Sequence, residues 1–224
     1  MLGLFLAAPA SASASPGVEA VLALEQSGHD EAALALAEQY CLGKPPSALP
    51  HLEAARLGLK LGGETVTIEK HLSAARLFAP DNPRVRYLAA LAKEGEGEDG
   101  AARVLYLEAL SLRASYTDAR TRLVALAIRT HDWTLAESQL RALLAAGERS
   151  VSRRLQLAQV LEEAGKASQA ESALLALHHE VPTNPAVTAA LADFFERHHR
   201  TQAALALRRA TPEKKLRPLP PSRR

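Results

Sequence analysis

Turn-forming residues recur along this chain at a constant interval of 34 residues. Glycine or histidine stands at each of five equally spaced breaks between Ala- and Leu-rich segments, namely Gly63, Gly97, His131, Gly165 and His199. A constant period of this length is typical of repeat proteins, in which one small supersecondary unit stacks against the next. The spacing therefore limits the chain to an architecture of stacked repeats.

The segments between these breaks are expected to be helices. The apolar residues are mainly Ala and Leu, β-branched residues are sparse, and aromatic residues make up only 4% of the 224 residues. Such a composition favours helix over strand, and a hydrophobic content of 47% is enough for a continuous core. We therefore predict an all-α chain of helix-turn-helix units, with further breaks at Gly28, Pro45-Pro46, Gly62, Pro80, Gly95–Gly100 and Pro182.

Two further sets of residues keep the same register. Five residues beyond each turn, mostly small side chains mark the points where a second helix is predicted to approach the first closely: Ile68, Ala102, Ala136, Ala170 and Ala204. Because proline cannot continue a helix, the prolines in register are predicted to end second helices, at Pro46, Pro80 and Pro182.

A 34-residue helix-turn-helix period with these turn, small-residue and proline positions resembles the tetratricopeptide repeat. The resemblance covers residues 18–210, which correspond to about six repeats. The copy from Val151 to Asn184 matches best, with Leu157-Ala158, Gly165, Ala170 and Pro182 at the positions that the family favours. The resemblance implies a right-handed α-solenoid over residues 15–210, whose first helices line a concave groove that binds a protein or peptide. Some family members hold a C-terminal carboxylate with Lys, Arg and Asn, and that clamp is missing, since its places hold Tyr87, Leu91, Thr121, Ala125, Leu155 and Gln159.

Arg86, Arg120 and Arg154 occupy equivalent positions early in three consecutive first helices and form what we call the arginine row. Cations are unfavourable near helix N-termini, so helix stability does not explain them. We predict that the row binds an acidic partner, because guanidinium groups suit carboxylates. The alternative is a solvated face that pairs with Glu108, Asp118 and similar neighbours. The predicted partner-binding residues are Arg84, Arg86, Tyr87, Leu91, Arg120, Arg122, Arg154, Leu155 and Gln159.

The sequence shows no recognisable set of residues for catalysis, a cofactor or a metal ion. The pairs His178-His179 and His198-His199 are predicted to lie at helix ends, where a partly charged imidazole suits the dipole, rather than to converge on a metal. His131-Asp132-Trp133 is interpreted as a turn and helix cap. Cys41, the single cysteine, is interpreted as a packing residue at a helix end. We therefore predict a protein that is not an enzyme and needs no cofactor.

Both ends of the chain are predicted to lie outside the solenoid. Residues 1–14 combine a short apolar run with small residues at Ala-x-Ala spacing, which predicts a secretory signal. The alternative is a low-complexity leader on a cytosolic protein. Residues 211–224 form a basic, proline-rich tail that is predicted to be flexible, with weak electrostatic attachment to anionic surfaces as a further hypothesis.

The net charge and the apolar segments limit the partners further. A formal net charge of +2 is too small to predict nucleic-acid binding. No window approaches the roughly 18 consecutive apolar residues of a membrane-spanning helix, so we expect a soluble mature protein.

The predicted function is a non-catalytic scaffold for protein-protein interaction, exported to the periplasm as part of an assembly in the bacterial cell envelope. Two alternatives stay open, a cytosolic adaptor with the same repeats and a non-catalytic subunit of an enzyme complex.

Overall fold

The computed structural model describes residues 16–210, and in this range the chain forms twelve α-helices and no β-strand. The predictions of an all-α fold and of about six helix pairs are confirmed. The predicted signal, residues 1–14, and the predicted tail, residues 211–224, lie outside the described residues. No helix within residues 16–210 has the length and apolar character needed to cross a bilayer. The helices are α1 (Pro16–Gln26), α2 (Asp30–Tyr40), α3 (Ala48–Leu61), α4 (Thr65–Phe78), α5 (Pro83–Gly95), α6 (Asp99–Leu112), α7 (Thr117–Arg129), α8 (Trp133–Ala145), α9 (Val151–Glu163), α10 (Ala167–Glu180), α11 (Pro185–Arg197) and α12 (Thr201–Ala210).

The helices fall into two compact units, of which the first ends at Arg122 and the second begins at Leu123. In the first unit each helix from α1 to α6 packs against the next, and α3 also packs against α1 and α5. In the second unit α8 to α12 pack in the same consecutive way, and α9 also contacts α11. This combination of contacts between successive helices and between alternate helices is the packing pattern of an α-solenoid.

The predicted turns are the points where the backbone enters the left-handed region. In the second pair the left-handed residue is Gly62 rather than the predicted Gly63, a slip of one residue. This conformation costs about 1–2 kcal/mol for a residue with a Cβ atom, so His131 and His199 keep it because the helices on both sides fix the turn. The residues with positive φ between paired helices are Gly28, Gly62, Gly97, His131, Gly165 and His199, with values from 57° to 80°.

Proline and asparagine set the boundaries between several repeats. Pro80 and Pro182 lie two residues beyond the ends of α4 and α10, as predicted, whereas Pro46 lies in the longer connection between α2 and α3. Asn82 and Asn184 then cap α5 and α11, because their side-chain oxygens accept hydrogen bonds from backbone N–H groups two residues later, at 2.9 and 3.0 Å. The chain therefore stops one helix and starts the next within a few residues.

The side chains predicted at close helix crossings are buried. Ala102, Ala136, Ala170 and Ala204 are fully buried, and Ile68 is only 4% exposed. Two helices can approach closely only where the intervening side chains are small or have complementary shapes. The predicted register of the repeats is therefore confirmed from α4 to α12.

Ile68 is the one large residue of this set, and the space that it occupies is left by Gly58 on α3. A Cβ atom on Gly58 would lie 3.1 Å from Cγ1 of Ile68, which is tighter than an ordinary van der Waals contact. The side chains at the crossing thus have complementary sizes, because a large residue on one helix faces a small residue on the other. In later repeats the residue whose carbonyl oxygen accepts the equivalent hydrogen bond at the turn is larger than glycine, namely Lys93, Ala127, Leu161 and Phe195.

Replacing Ala136 by Leu is expected to lower the free energy of unfolding by about 1–3 kcal/mol, because the added methylene groups overpack the crossing. Ala136 is fully buried and belongs to a core cluster with Leu140 and Leu143. The exposed Ala145, at the end of the same helix, offers the matched control Ala145→Leu, for which a change within about 0.5 kcal/mol is expected. Urea unfolding measures both. If Ala136→Leu unfolds like the wild type, the repeat register is wrong at α8.

Candidate protein-binding surfaces

Within the second unit, a groove of about 630 Å³ lies between the first helices α9 and α11. We call it the α9–α11 groove. Two residues that the sequence predicted to bind a partner, Leu155 and Gln159, stand one helical turn apart on its α9 wall. The other lining residues are Ser152, Arg153, Gln156, Glu162, Glu163, Leu174, Ala190, Asp193 and Arg197.

The α9–α11 groove combines apolar surface with amide groups. Leu155 is half-buried against the core cluster of α9 to α12, whereas Gln159 is exposed. The leucine offers apolar area to a ligand, and the amide of Gln159 can both donate and accept hydrogen bonds. This chemistry suits the backbone and side chains of another polypeptide segment.

A charged pair connects the two walls of the groove. Arg197 of α11 donates hydrogen bonds to both carboxylate oxygens of Glu162 on α9, at 2.9 and 2.8 Å, and Nε2 of His198 lies 3.1 Å from the same carboxylate. The hydrogen bond from Arg197 lowers the pKa of Glu162. Because the carboxylate stays ionised at neutral pH, it helps to fix the spacing of α9 and α11.

In the first unit, Tyr87 and Leu91 of α5 pack against the core cluster of α3 to α5. The Tyr87 ring also contacts the rings of Tyr106 and Tyr116, at 6.1 and 5.2 Å between centroids. Both of these tyrosines are buried, and burial raises the pKa of Tyr116 to about 12. The buried Tyr106 donates a hydrogen bond to Glu94 at 2.6 Å. Tyr87 therefore has packing contacts in the fold, and its role in partner binding stays a prediction.

Arg84 takes part in a chain of ion pairs that connects three first helices. It lies 2.7 Å from Glu53 of α3, a carboxylate that is 3% exposed. Arg56 contacts the same carboxylate at 2.9 Å and makes two hydrogen bonds to Glu25 of α1, at 2.9 and 2.6 Å. The hydrogen bond from Arg56 lowers the pKa of Glu25 to about 2. We call Glu25, Arg56, Glu53 and Arg84 the first-helix ion-pair chain, and it joins α1, α3 and α5.

Arg86 lies on a different face of α5 from the predicted groove residue Leu91. Because successive helix residues are about 100° apart, the two side chains point about 140° apart. Arg86 pairs with Glu108 of α6 at 3.0 Å and lines a depression of about 300 Å³ between α4, α5 and α6. This is the pairing that the solvated-face alternative expects.

The other arginines of the predicted set also have acceptors close by or lie exposed. Arg120 donates to the carbonyl oxygen of Ala114 at 2.7 Å, and Arg122 is exposed. In the second unit, Arg154 donates to both carboxylate oxygens of Glu180, at 2.5 and 2.8 Å. Partner binding by the arginine row stays a prediction, and the structure shows that each arginine of the row already has an acceptor within its own unit.

The histidine pairs occupy the helix ends that the sequence predicted. His178 and His179 lie in the last turn of α10, and His198 directly follows α11. The predicted turn and cap before α8 are also present, because Asp132 accepts a hydrogen bond from the backbone N–H of Leu135 at 3.0 Å. These residues therefore have structural roles at helix boundaries.

One cluster of potential metal ligands was missed from the sequence. Cys41, His51 and His71 place one ligand atom each within 4.8 Å of one another, and within residues 16–210 no other three His, Cys, Asp or Glu side chains do so. Burial raises the pKa of the Cys41 thiol to about 11 and lowers the pKa of both histidines. The three residues belong to three different helical segments, so no ligand motif with a fixed spacing could reveal them.

Solved structures of tetratricopeptide-repeat proteins are similar to this fold. A tetratricopeptide-repeat protein from Parabacteroides merdae ATCC 43184 has a TM-score of 0.64 at 17% identity, over 86% of this chain and 76% of the other. MamA from Desulfovibrio magneticus RS-1 has a TM-score of 0.61 at 16% identity, over 73% and 92%. YrrB, a tetratricopeptide-repeat protein with an unusual peptide-binding site, has a TM-score of 0.59 at 16% identity, over 85% and 89%. No protein-family model matches the sequence, and no curated protein matches it significantly.

Replacing Arg84 by Ala is expected to lower the free energy of unfolding by about 2–3 kcal/mol, because the buried Glu53 loses one of its two cations. Arg86→Ala is the matched control, two residues along the same helix. Its partner Glu108 has a side chain that is 47% exposed, so a loss below about 1 kcal/mol is expected. Urea unfolding followed by circular dichroism measures both variants. Equal losses would contradict a structural role that is specific to Arg84.

Proposed function

Because the chain has the tetratricopeptide-repeat fold, we propose that it is a non-catalytic scaffold for protein-protein interaction. The α9–α11 groove carries this proposal, since it lies between two first helices and presents apolar, amide and charged groups together. YrrB, which has a peptide-binding site, is similar in fold and supports a peptide as the ligand.

The groove can supply both affinity and orientation to an extended peptide. Leu155 is half-buried, so a ligand side chain that covers it removes the remaining apolar area from water. Complete burial of a leucine side chain contributes about 1.5–3 kcal/mol relative to full exposure. The amides of Gln156 and Gln159 line the same groove and can bind backbone groups of the peptide, which fixes its direction.

We propose that the partner carries acidic residues. Arg153 lines the groove beside Gln156, to which it donates at 3.2 Å, and a guanidinium group at this place can also bind a partner carboxylate. The carboxylates that pair with Arg86 and Arg154 are 47% and 54% exposed. Exposed ion pairs contribute only about 0–1 kcal/mol, so a partner carboxylate can replace Glu108 or Glu180 at little cost.

A scaffold role, rather than catalysis, is also supported by the shape of the groove. Its walls are the first helices of two consecutive repeats, and its charged side chains Arg197 and Asp193 are accessible to solvent. Catalytic sites depend on positioned groups in an enclosure that excludes water. An open groove of this kind is better suited to holding a polypeptide than to isolating a reacting group.

We further propose that the chain is exported and works in an assembly of the bacterial cell envelope. The apolar run Leu2–Ala8, followed by small residues at Ala-x-Ala spacing, supports export. The mass of the chain after expression shows whether its N-terminal segment is removed, and so tests export. A chain that begins at Met1 in the cytosolic fraction would favour the alternatives, a cytosolic adaptor or a non-catalytic subunit of an enzyme complex.

Peptides that bind the protein can be selected from a random library by phage display, and we expect them to bind in the α9–α11 groove. The double variant Leu155→Ala/Gln159→Ala should then raise the Kd by at least about tenfold, since central apolar contacts dominate peptide affinity. Arg86, Arg120 and Arg154 do not line this groove, so replacing them together by Gln should lower the association rate and the salt dependence of acidic peptides through the loss of long-range attraction. Fluorescence anisotropy with labelled peptides measures both quantities.

Leu175→Ala is the matched control for the groove variant. Leu175 lies on α10 of the same unit and is 44% exposed, outside the groove. Its Kd should stay within about twofold of the wild type, and circular dichroism shows whether each variant is folded. A groove variant that is folded and binds every selected peptide as tightly as the wild type would contradict the proposed site.

A further inference from the structure

Three side chains with metal-binding atoms converge in the first unit, far along the chain from the α9–α11 groove. Cys41 directly follows α2, His51 lies near the start of α3, and His71 lies in the middle of α4. Nδ1 of His51 lies 3.2 Å from Nδ1 of His71, and Sγ of Cys41 lies 3.8 Å from the same His71 nitrogen. All three side chains are half-buried, so the cluster lies at the edge of the packed helices rather than in the core.

These separations agree with the geometry of a tetrahedral zinc site. Zn–N bonds are about 2.0–2.1 Å and Zn–S bonds about 2.3 Å. Tetrahedral angles then place two ligand nitrogens about 3.3 Å apart and a sulfur and a nitrogen about 3.6 Å apart. The observed distances of 3.2 and 3.8 Å lie within a few tenths of an ångström of these values, and the ligand atoms of Cys41 and His51 lie within 4.8 Å of each other. Side-chain movements of about an ångström therefore suffice for one ion to bind all three atoms.

A hydrogen bond between the two imidazoles accounts for only part of this arrangement. One Nδ1–H can donate to the other Nδ1, which explains the approach of His51 to His71. The thiol of Cys41 donates to the carbonyl oxygen of Ala37 at 3.3 Å, and its sulfur also lies 3.8 Å from the His71 nitrogen. Two imidazole nitrogens and one sulfur within 4.8 Å of one another form a donor set that zinc prefers.

The surroundings of the cluster suit a bound cation. The ring of Phe78 stacks on the His51 ring, with 6.0 Å between centroids, and limits the movement of this imidazole. The carboxylate of Glu38, one turn before Cys41 on α2, acts through its charge on both Cys41 and His71, although Lys70 opposes it at His71. One thiolate and two neutral imidazoles would fill three positions of a tetrahedral metal ion and leave the fourth for water.

We propose that Cys41, His51 and His71 bind a Zn²⁺ ion, with water as the fourth ligand. The ion would connect the end of α2 to α3 and α4, and so would join the first two repeats of the first unit. This role is independent of the proposed peptide groove, because the cluster and the groove lie in different units.

Titration of the full chain, without a polyhistidine tag, with Co²⁺ as a spectroscopic substitute for zinc tests the proposal. One equivalent should produce the visible d–d bands of a tetrahedral site together with a near-ultraviolet thiolate charge-transfer band, and Zn²⁺ should remove both by displacement. Cys41→Ser should abolish the charge-transfer band. His51→Gln should weaken Co²⁺ and Zn²⁺ binding by at least about 100-fold, since loss of even an outer-shell partner costs about 10–100-fold.

His179→Gln is the matched control, because it removes an exposed histidine from the end of α10 and should leave the spectrum and the affinity unchanged. Alkylation of the wild type gives a second reading that needs no variant, since Cys41 is the single cysteine. Stoichiometric Zn²⁺ should slow its alkylation at least about tenfold, because the metal holds the nucleophilic thiolate. An octahedral Co²⁺ spectrum without a thiolate band, or an alkylation rate that zinc does not change, would overturn the proposal.

Discussion

The rest of the structure depends on the close approach of the two helices in each repeat at a small, buried residue. Ala170 is fully buried where α10 crosses α9, and this contact brings Leu174, one turn further along α10, to the lining of the α9–α11 groove. A larger residue at the crossing would separate the two helices and change the shape of the groove. Packing within a repeat and the surface offered to a partner are therefore set by the same small side chain.

Electrostatic contacts connect the repeats to one another before any partner binds. In the first unit, the first-helix ion-pair chain joins α1, α3 and α5 through the buried carboxylate of Glu53. In the second unit, Arg197 and Glu162 join α11 to α9 in the same way. The planar guanidinium group suits this role, because it binds two oxygens at once and so fixes the register of neighbouring helices. Arginines on the first helices are thus part of the scaffold as well as candidates for partner binding.

The repeated and local features of the fold could be predicted from the sequence. Turns and helix crossings recur with the period of the chain, and each depends on residues that are close in sequence, such as Gly165 and Ala170. The partners of the charged residues could not be predicted, because Glu25 and Arg56 are 31 residues apart and meet only through packing between repeats. The contact between His51 and His71 could not be predicted either, because the two residues lie on different helices and meet only through packing. Leu155 and Gln159 line the candidate groove, as their position on a first helix predicts. The residues that accept hydrogen bonds from Arg84 and Arg154 could be identified only from the structure.

Complementary side-chain sizes at the helix crossing hold each repeat together, and the pair of Gly58 and Ile68 offers the most direct test. A double-mutant cycle of Gly58→Ala, Ile68→Ala and both together changes the side-chain sizes at this crossing, where a Cβ atom on residue 58 would lie 3.1 Å from Cγ1 of Ile68. Urea unfolding of the four proteins gives the coupling energy. We predict that the double variant is more stable than the sum of the single changes by at least about 1 kcal/mol, because the methyl group of residue 58 then fills part of the space that Ile68 leaves. Additivity within about 0.3 kcal/mol would contradict size complementarity as the basis of the repeat.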